Sequence, residues 1–273
     1  MATNISLSAA ARNSLLSLQG TSSLIERTNS RLSSGLKVAS PVDNAKVFFE
    51  AKALTDRAST LNEKKDAVDQ GISSLTAALE TTESVDALVR QAKGIALSAK
   101  TATGTELTSL VTQYNTVLSQ IDLLVADATY QGLNLVNNST STLTVSFSEK
   151  TTSLLTINAQ RLDTNSLGLD ISSAISFSLS SVIDAAITQL DNAITEIRGA
   201  GKTLGSNVAL LQTRLDFTST YVNTLESGAA KLTLADLTQE GANLVALQTR
   251  QQLGINALAF AGQADQQILA LFR

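Results

Sequence analysis

A chain of 273 residues, 43% of them hydrophobic, has enough apolar content to bury one or two cores, but only 4% are aromatic, so Ala, Leu, Ile and Val must build them. Cys, His and Trp are all absent, which excludes disulfides, thiolate chemistry, imidazole general bases and the usual zinc motifs. The net charge is −4, the longest basic run is Lys64-Lys65, and no stretch approaches 18 consecutive apolar residues, so neither a phosphate-binding face nor a membrane span is expected.

The first eight residues have no basic start and no continuous apolar core, so they do not read as a Sec-type signal peptide. Residues 5–36 carry the first predicted helix. Ala11, Leu18, Ile25 and Leu32 recur every seven residues, supported by Leu7, Leu15 and Leu36. The companion positions Ser14, Thr21 and Thr28 are small and polar, so this helix is marginal by itself. Pro41 is the only proline. Gly35 can end the first helix; Ser40 as N-cap, Pro41 at the first helical position and Asp43 in the first turn can start the next.

A long seam follows at Leu54, Leu61, Val68, Leu75, Thr82, Val89 and Ala96, spaced by seven without drift. Ala58, Ile72 and Leu79 supply its companion positions, with Lys65 as an exception. The segment 100–105 breaks it, and Thr103 with Glu106 has capping-box spacing for a third helix along Leu107, Val111, Tyr114, Leu118, Ile121, Val125 and Ala128. Gly132, Asn134, Asn137 and Asn138 mark turns. Leu143, Val145 and Phe147 alternate with polar residues, as do Leu155 and Ile157, which predicts a small hairpin. Residues 158–178 are Ser/Asn-rich and carry no clear period.

From Ile183 to Leu232 apolar residues fall every three or four positions, interrupted only by Gly201 and Thr218. About seven heptads of this kind read as coiled coil. One helix over that span is roughly 75 Å long, which predicts an elongated molecule unless Gly201 kinks it. A last helix spans 236–272, with Leu237, Leu244, Leu247, Ile255, Leu258, Ala261, Leu269 and Phe272 on its apolar face. Gly241, Gly254 and Gly262 lie inside it, and close helix contact is expected to offset their cost. Consecutive helices of this kind fold back as hairpins. The expected fold is mainly α: an elongated antiparallel coiled-coil or helical-bundle rod with a small β-hairpin region in mid-chain. Carboxylates such as Asp56, Glu63, Asp66, Asp69, Glu80, Glu83 and Asp86 lie mostly off the seam and read as a solvated face.

Five stretches stand out: Ile25-Glu26-Arg27-Thr28-Asn29-Ser30-Arg31-Leu32-Ser33-Ser34-Gly35-Leu36-Lys37, Gln70-Gly71-Ile72-Ser73, Thr129-Tyr130-Gln131-Gly132-Leu133-Asn134-Leu135-Val136, Ala246-Leu247-Gln248-Thr249-Arg250-Gln251-Gln252-Leu253, and the ending Ile268-Leu269-Ala270-Leu271-Phe272-Arg273. They occur in order at both ends of the chain, and together they resemble bacterial flagellins, of a short form like those of α-proteobacteria. Only residues 137–178 lie between the helical arms, a minimal variable region for that family. The stretch 89–96 lacks the acidic residue of flagellins recognised by an animal immune receptor and has Gly94, so that recognition is not carried over.

The resemblance implies a structural filament subunit for swimming motility, not an enzyme, with no cofactor, metal, nucleic-acid or membrane partner. It implies export as an unfolded chain by the flagellar type III route to an extracellular filament. A cytoplasmic export chaperone, the filament cap, junction proteins and sibling flagellins are the implied partners. It implies an inner filament-core domain from 1–40 with 236–273, a helical rod domain from 41–136 with 179–235, and an outer-tip insertion at 137–178. Polymerisation then runs through Leu7, Ala11, Leu18, Ile25 and Leu32 of the first helix and Leu237, Leu244, Leu247, Ile255, Leu258, Leu269 and Phe272 of the last. Ordering these ends costs conformational entropy, which burial of the leucine stripes must exceed. Ser/Thr-rich turns at Thr140, Thr142, Thr151 and Thr152 are candidate O-glycosylation sites. A hook–filament junction protein and a non-flagellar, partner-binding helical rod are the competing readings.

Overall fold

The computed structural model describes residues 9–174, 176–177 and 179–271. Leu7 and Phe272 of the predicted stripes lie outside these residues, as does the side chain of Leu269. Five helices and two small antiparallel strand pairs form among the described residues: α1 (Ala9–Ser34), α2 (Pro41–Ala99), α3 (Gly104–Asp127), β1 (Thr129–Tyr130), β2 (Leu133–Asn134), β3 (Thr142–Ser146), β4 (Leu154–Asn158), α4 (Ser180–Thr233) and α5 (Leu237–Leu271). The mainly α reading with a mid-chain hairpin therefore matches. The chain divides into two compact units, 57–223 and 1–56 with 224–273.

In the unit 57–223, the heptad positions of α2 are the buried ones: Leu61, Val68, Leu75, Thr82, Val89 and Ala96. Ile183, Leu190, Ile194, Ile197, Leu204 and Leu211 of α4 and Tyr114, Leu118, Ile121 and Val125 of α3 join the same core. Fully burying one such Leu or Ile stabilises by about 1.5–3 kcal/mol. Thr82 and Thr218 are tolerated in the seam because each hydroxyl donates to the carbonyl four residues back, Ala78 and Arg214, at 2.8 Å. Gly201 does not kink α4, which runs unbroken through it. A Cβ there would stand 3.7 Å from Thr82 Cγ2, so the glycine lies against α2.

Two local expectations are corrected. Thr103 precedes α3 in an extended conformation but makes no side-chain cap hydrogen bond, so the Thr103–Glu106 capping box does not form. The segment 129–134 is more than a turn: β1 pairs with β2, and Gln131 and Gly132 at φ 50° and 81° make the two-residue left-handed turn between them. Asn134 then ties this hairpin down. Its Nδ2 donates to Val125 O at 2.7 Å, and its Oδ1 accepts from the amides of Val136 and Asn137 at 2.9 Å.

Strands β3 and β4 pair Leu143 with Ile157 and Val145 with Leu155. Phe147 falls just beyond β3 and still donates its amide to Ser153 O. The hairpin packs on α2 at Gly71, where a Cβ would come 2.8 Å from Val145 Cγ2. In the aperiodic stretch after β4, Leu162, Leu169, Ile171 and Phe177 are buried. Asp122 of α3 holds it by accepting from Thr164 N and Oγ1, and Asn115 exchanges two hydrogen bonds with the Ala174 backbone.

Candidate assembly interface at the terminal helices

In the unit 1–56 with 224–273, α1 lies along α5. Arg31 meets Glu240 and Leu18 meets Gly254, so the two helices run antiparallel. The covered side of α1 is the predicted seven-residue series with its polar companions. Ala11, Thr21 and Thr28 are buried, and Leu18, Ile25 and Leu32 are half-buried. On α5 the covered positions are Leu244, Leu247, Gln251, Gly254, Leu258 and Ala261, again in steps of three and four.

The seam is thin. Thr21 satisfies itself by donating to Ser17 O at 2.9 Å and adds little apolar contact. Gly254 admits Leu18 directly, since a Cβ there would stand 3.1 Å from Leu18 Cγ. Among the described residues Gly241 and Gly262 meet nothing within 4 Å, so the expected close contact offsets the helix cost at one glycine of three. Leu237 and Ile255, read with the same stripe, stand exposed at its flank.

The helix ends are built by residues whose local chemistry is explicit. Gly35, at φ +71°, ends α1, and its amide donates to Arg31 O at 2.8 Å. Lys37 N donates to Thr233 O and Ala235 N to Gly35 O, around an antiparallel bridge between Leu36 and Leu234. Asp236 caps α5 by accepting from Thr238 N and Gln239 N. Arg31 Nη1 donates to Glu240 Oε1 at 2.9 Å.

The start of α2 has two caps. Asp43 Oδ2 accepts from the Ser40 and Ala39 amides and the Ser40 hydroxyl, which together hold its carboxyl below the usual range. The helix is then interrupted at Asn44, at φ −163° and ψ 97°, whose Oδ1 accepts from Val47 N. The predicted single start at Ser40–Pro41 is thus one turn followed by a second N-cap.

Sequence periodicity identified the covered residues of α1 and most of those of α5. It missed the caps Asn44 and Asp236, each legible as an Asx residue ahead of a helical run, and the Arg31–Glu240 pair. The four candidate modification sites are exposed. Thr140 precedes β3 and donates its hydroxyl to Asn138 Oδ1, Thr142 opens β3, and Thr151 and Thr152 lie in the β3–β4 turn. Among the described residues no three of His, Cys, Asp or Glu come together as a metal requires. No described helix is long and apolar enough to cross a membrane.

Comparison with known proteins matches both arms of this architecture. The family model for the bacterial flagellin N-terminal helical region covers residues 5–141, and that for the C-terminal helical region covers 183–272. Flagellin FljK of Caulobacter vibrioides is 31% identical over 272 residues, 99% of this chain and 98% of that one. A flagellin of Brucella melitensis is 27% identical over 279 residues, 99% of each. Among solved structures, a Vibrio parahaemolyticus protein put forward as flagellar hook-associated shares the fold at TM-score 0.59 and 12% identity, over 70% of this chain and all of that one. Matched in both helical regions and along nearly its whole length, the chain belongs to the bacterial flagellin family, as a structural subunit of the flagellar filament and not an enzyme.

Proposed function

We propose that α1 and α5 are the elements through which copies of this chain join into the filament. The observation that carries this is the thinness of their pairing. Small and polar residues fill much of the α1 seam, and Leu237, Ile255 and other apolar residues of α5 stay uncovered in one copy. Helices this poor in mutual burial gain most of their stability from neighbours. On this reading Leu7, Ala11, Leu18, Ile25 and Leu32 with Leu237, Leu244, Leu247, Ile255, Leu258, Leu269 and Phe272 order as copies add. Residues 1–40 with 236–273 form the inner filament core, 41–136 with 179–235 the surrounding helical layer, and 137–178 the outer tip.

The same reading assigns the chain an unfolded passage through the flagellar type III channel, escorted in the cytoplasm by an export chaperone. Outside the cell it meets junction proteins below, the filament cap above and sibling flagellins beside it. Thr140, Thr142, Thr151 and Thr152 are the exposed residues offered for O-glycosylation. Near-complete coverage of filament flagellins favours the filament subunit over a junction protein.

Deleting residues 237–273 tests the assembly role. The remaining chain is expected to keep its helical signal and to add nothing to sheared filament seeds in negative-stain microscopy. Normal tubes grown from the deleted chain would refute it.

A further inference from the structure

We propose that Asn138, in the turn before β3, is an acceptor for an N-linked sugar. The sequence offers the Asn-x-Ser/Thr pattern of such acceptors three times, at Asn4-Ile5-Ser6, Asn137-Asn138-Ser139 and Asn138-Ser139-Thr140. The first lies outside the described residues. Asn137 is half-buried, and no hydrogen bond among the described residues joins its side chain to Ser139. Asn138, Ser139 and Thr140 are all exposed. The turn that carries them is anchored on both sides. Asn137 N donates to Asn134 Oδ1 at 2.9 Å, and Ala159 N donates to Ser141 O at 2.9 Å.

The hydroxyl residue of the third pattern is already engaged with its acceptor. Thr140 N and Thr140 Oγ1 each donate to Asn138 Oδ1 at 2.8 Å. A backbone amide only donates, so the atom it meets is the carboxamide oxygen, and the free atom is Nδ2. Nδ2 makes no hydrogen bond among the described residues. A carboxamide nitrogen is a poor nucleophile because its lone pair is shared with the carbonyl. Two donors on the oxygen favour the form with charge on oxygen and the lone pair on nitrogen, and they strengthen as that charge develops. In the transfer, Nδ2 attacks the anomeric carbon of a sugar carried on a diphosphate. The nitrogen–carbon bond forms, the carbon–oxygen bond to the diphosphate breaks, and its electron pair leaves with the phosphate. The amide proton passes to a base of the transferase. These hydrogen bonds stay within residues 138–140, so the acceptor arrangement asks nothing of the helices. An O-linked sugar on Thr140 would remove the hydrogen that Asn138 accepts, so the two modifications are alternatives at this turn.

Tandem mass spectrometry of filaments sheared from the cells that make them tests this on the parent chain. Peptides spanning residues 131–149 are expected to carry a sugar that fragmentation places on Asn138. Mild alkali, which eliminates O-linked sugars, is expected not to release it. A single-sugar increment identifies a nucleotide-borne donor, and a preassembled block of sugars a lipid-borne one. Asn138→Gln and Thr140→Ala are each expected to lose the increment, while Thr140→Ser and Asn137→Gln keep it. The parent measurement decides the matter whether or not the variants assemble. A bare Asn138 in parent filaments, an alkali-labile sugar on Thr140 in its place, or modification of Asn138 that survives Thr140→Ala would overturn the proposal.

Discussion

Gly254 of α5 lies so close to Leu18 of α1 that a Cβ would stand 3.1 Å from Leu18 Cγ and 3.2 Å from Cδ2. Among the described residues, Gly241 and Gly262 of the same helix have nothing within 4 Å. The three glycines should therefore respond differently to alanine. Gly241→Ala and Gly262→Ala are each expected to raise α5 stability by about 1 kcal/mol through helix propensity. Gly254→Ala should gain less than either, because Leu18 must give way. Hydrogen exchange of α5 amides in the assembled protein measures all three, and equal protection gains would contradict the Leu18 contact.

Helix caps offer a second contrast. Asp236→Ala removes an acceptor used by two amides and is expected to cost about 1 kcal/mol at the start of α5. Thr103→Ala should cost far less, since its hydroxyl caps nothing. Denaturant midpoints of the two variants against the parent check the difference.

Tyr114 is fully buried against Phe177, at a ring separation of 5.2 Å, and its hydroxyl finds no hydrogen-bond partner among the described residues. Tyr114→Phe is expected to be neutral or stabilising by about 1 kcal/mol, because an unpaired buried hydroxyl carries a desolvation cost. Burial also pushes its pKa from 10.0 to about 12. Below pH 10 this leaves stability unchanged. Between pH 10 and 12 the unfolded chain releases the proton first, so stability falls. The phenylalanine variant should lose that part of the alkaline decline in thermal melts, and an unchanged alkaline limb would count against it.

At the acid end the corresponding group is Asp163, only 5% exposed. Burial by itself would raise its pKa, but hydrogen bonds from Arg161 and Asn165, with the Arg161 charge, outweigh it and hold the carboxyl below 3.8. The stability it contributes is complete above 3.8 and is lost as pH falls through the lowered folded-state value. Asp163→Asn should flatten the acid limb of a pH–melting curve below pH 4. A variant that tracks the parent across that range would show the pair to be inert.

The long seams of α2 and α4 were legible in the sequence because burial there follows the heptad alone. Leu61, Val68, Leu75 and Val89 need no help from local chemistry to reveal which side is covered. The break at Asn44 was not legible in the same way. Ser40–Asp43 and Asn44 are both good caps a few residues apart, and which one starts the helix depends on how the incoming chain is held. The covered side of α5 was half legible. Apolar residues surround this helix, so periodicity recovered Leu244, Leu247, Leu258 and Ala261 but added Leu237 and Ile255 from the flank and passed over Gln251 and Gly254. The turn at Gln131-Gly132 was visible as composition, while the role of Asn134 in tying it to α3 required the fold.

Thr21 and Thr28 of the α1 seam discriminate poorly between alignments, because sliding α1 by seven residues sets one threonine where the other stood. The backbone bridge between Leu36 and Leu234 does not slide. Its flanking hydrogen bonds, Lys37 to Thr233 and Ala235 to Gly35, fix the point from which both helices depart. The two ends of the chain are thus clocked against each other by main-chain pairing outside the coiled coil, and the side chains of the seam are left free to be small.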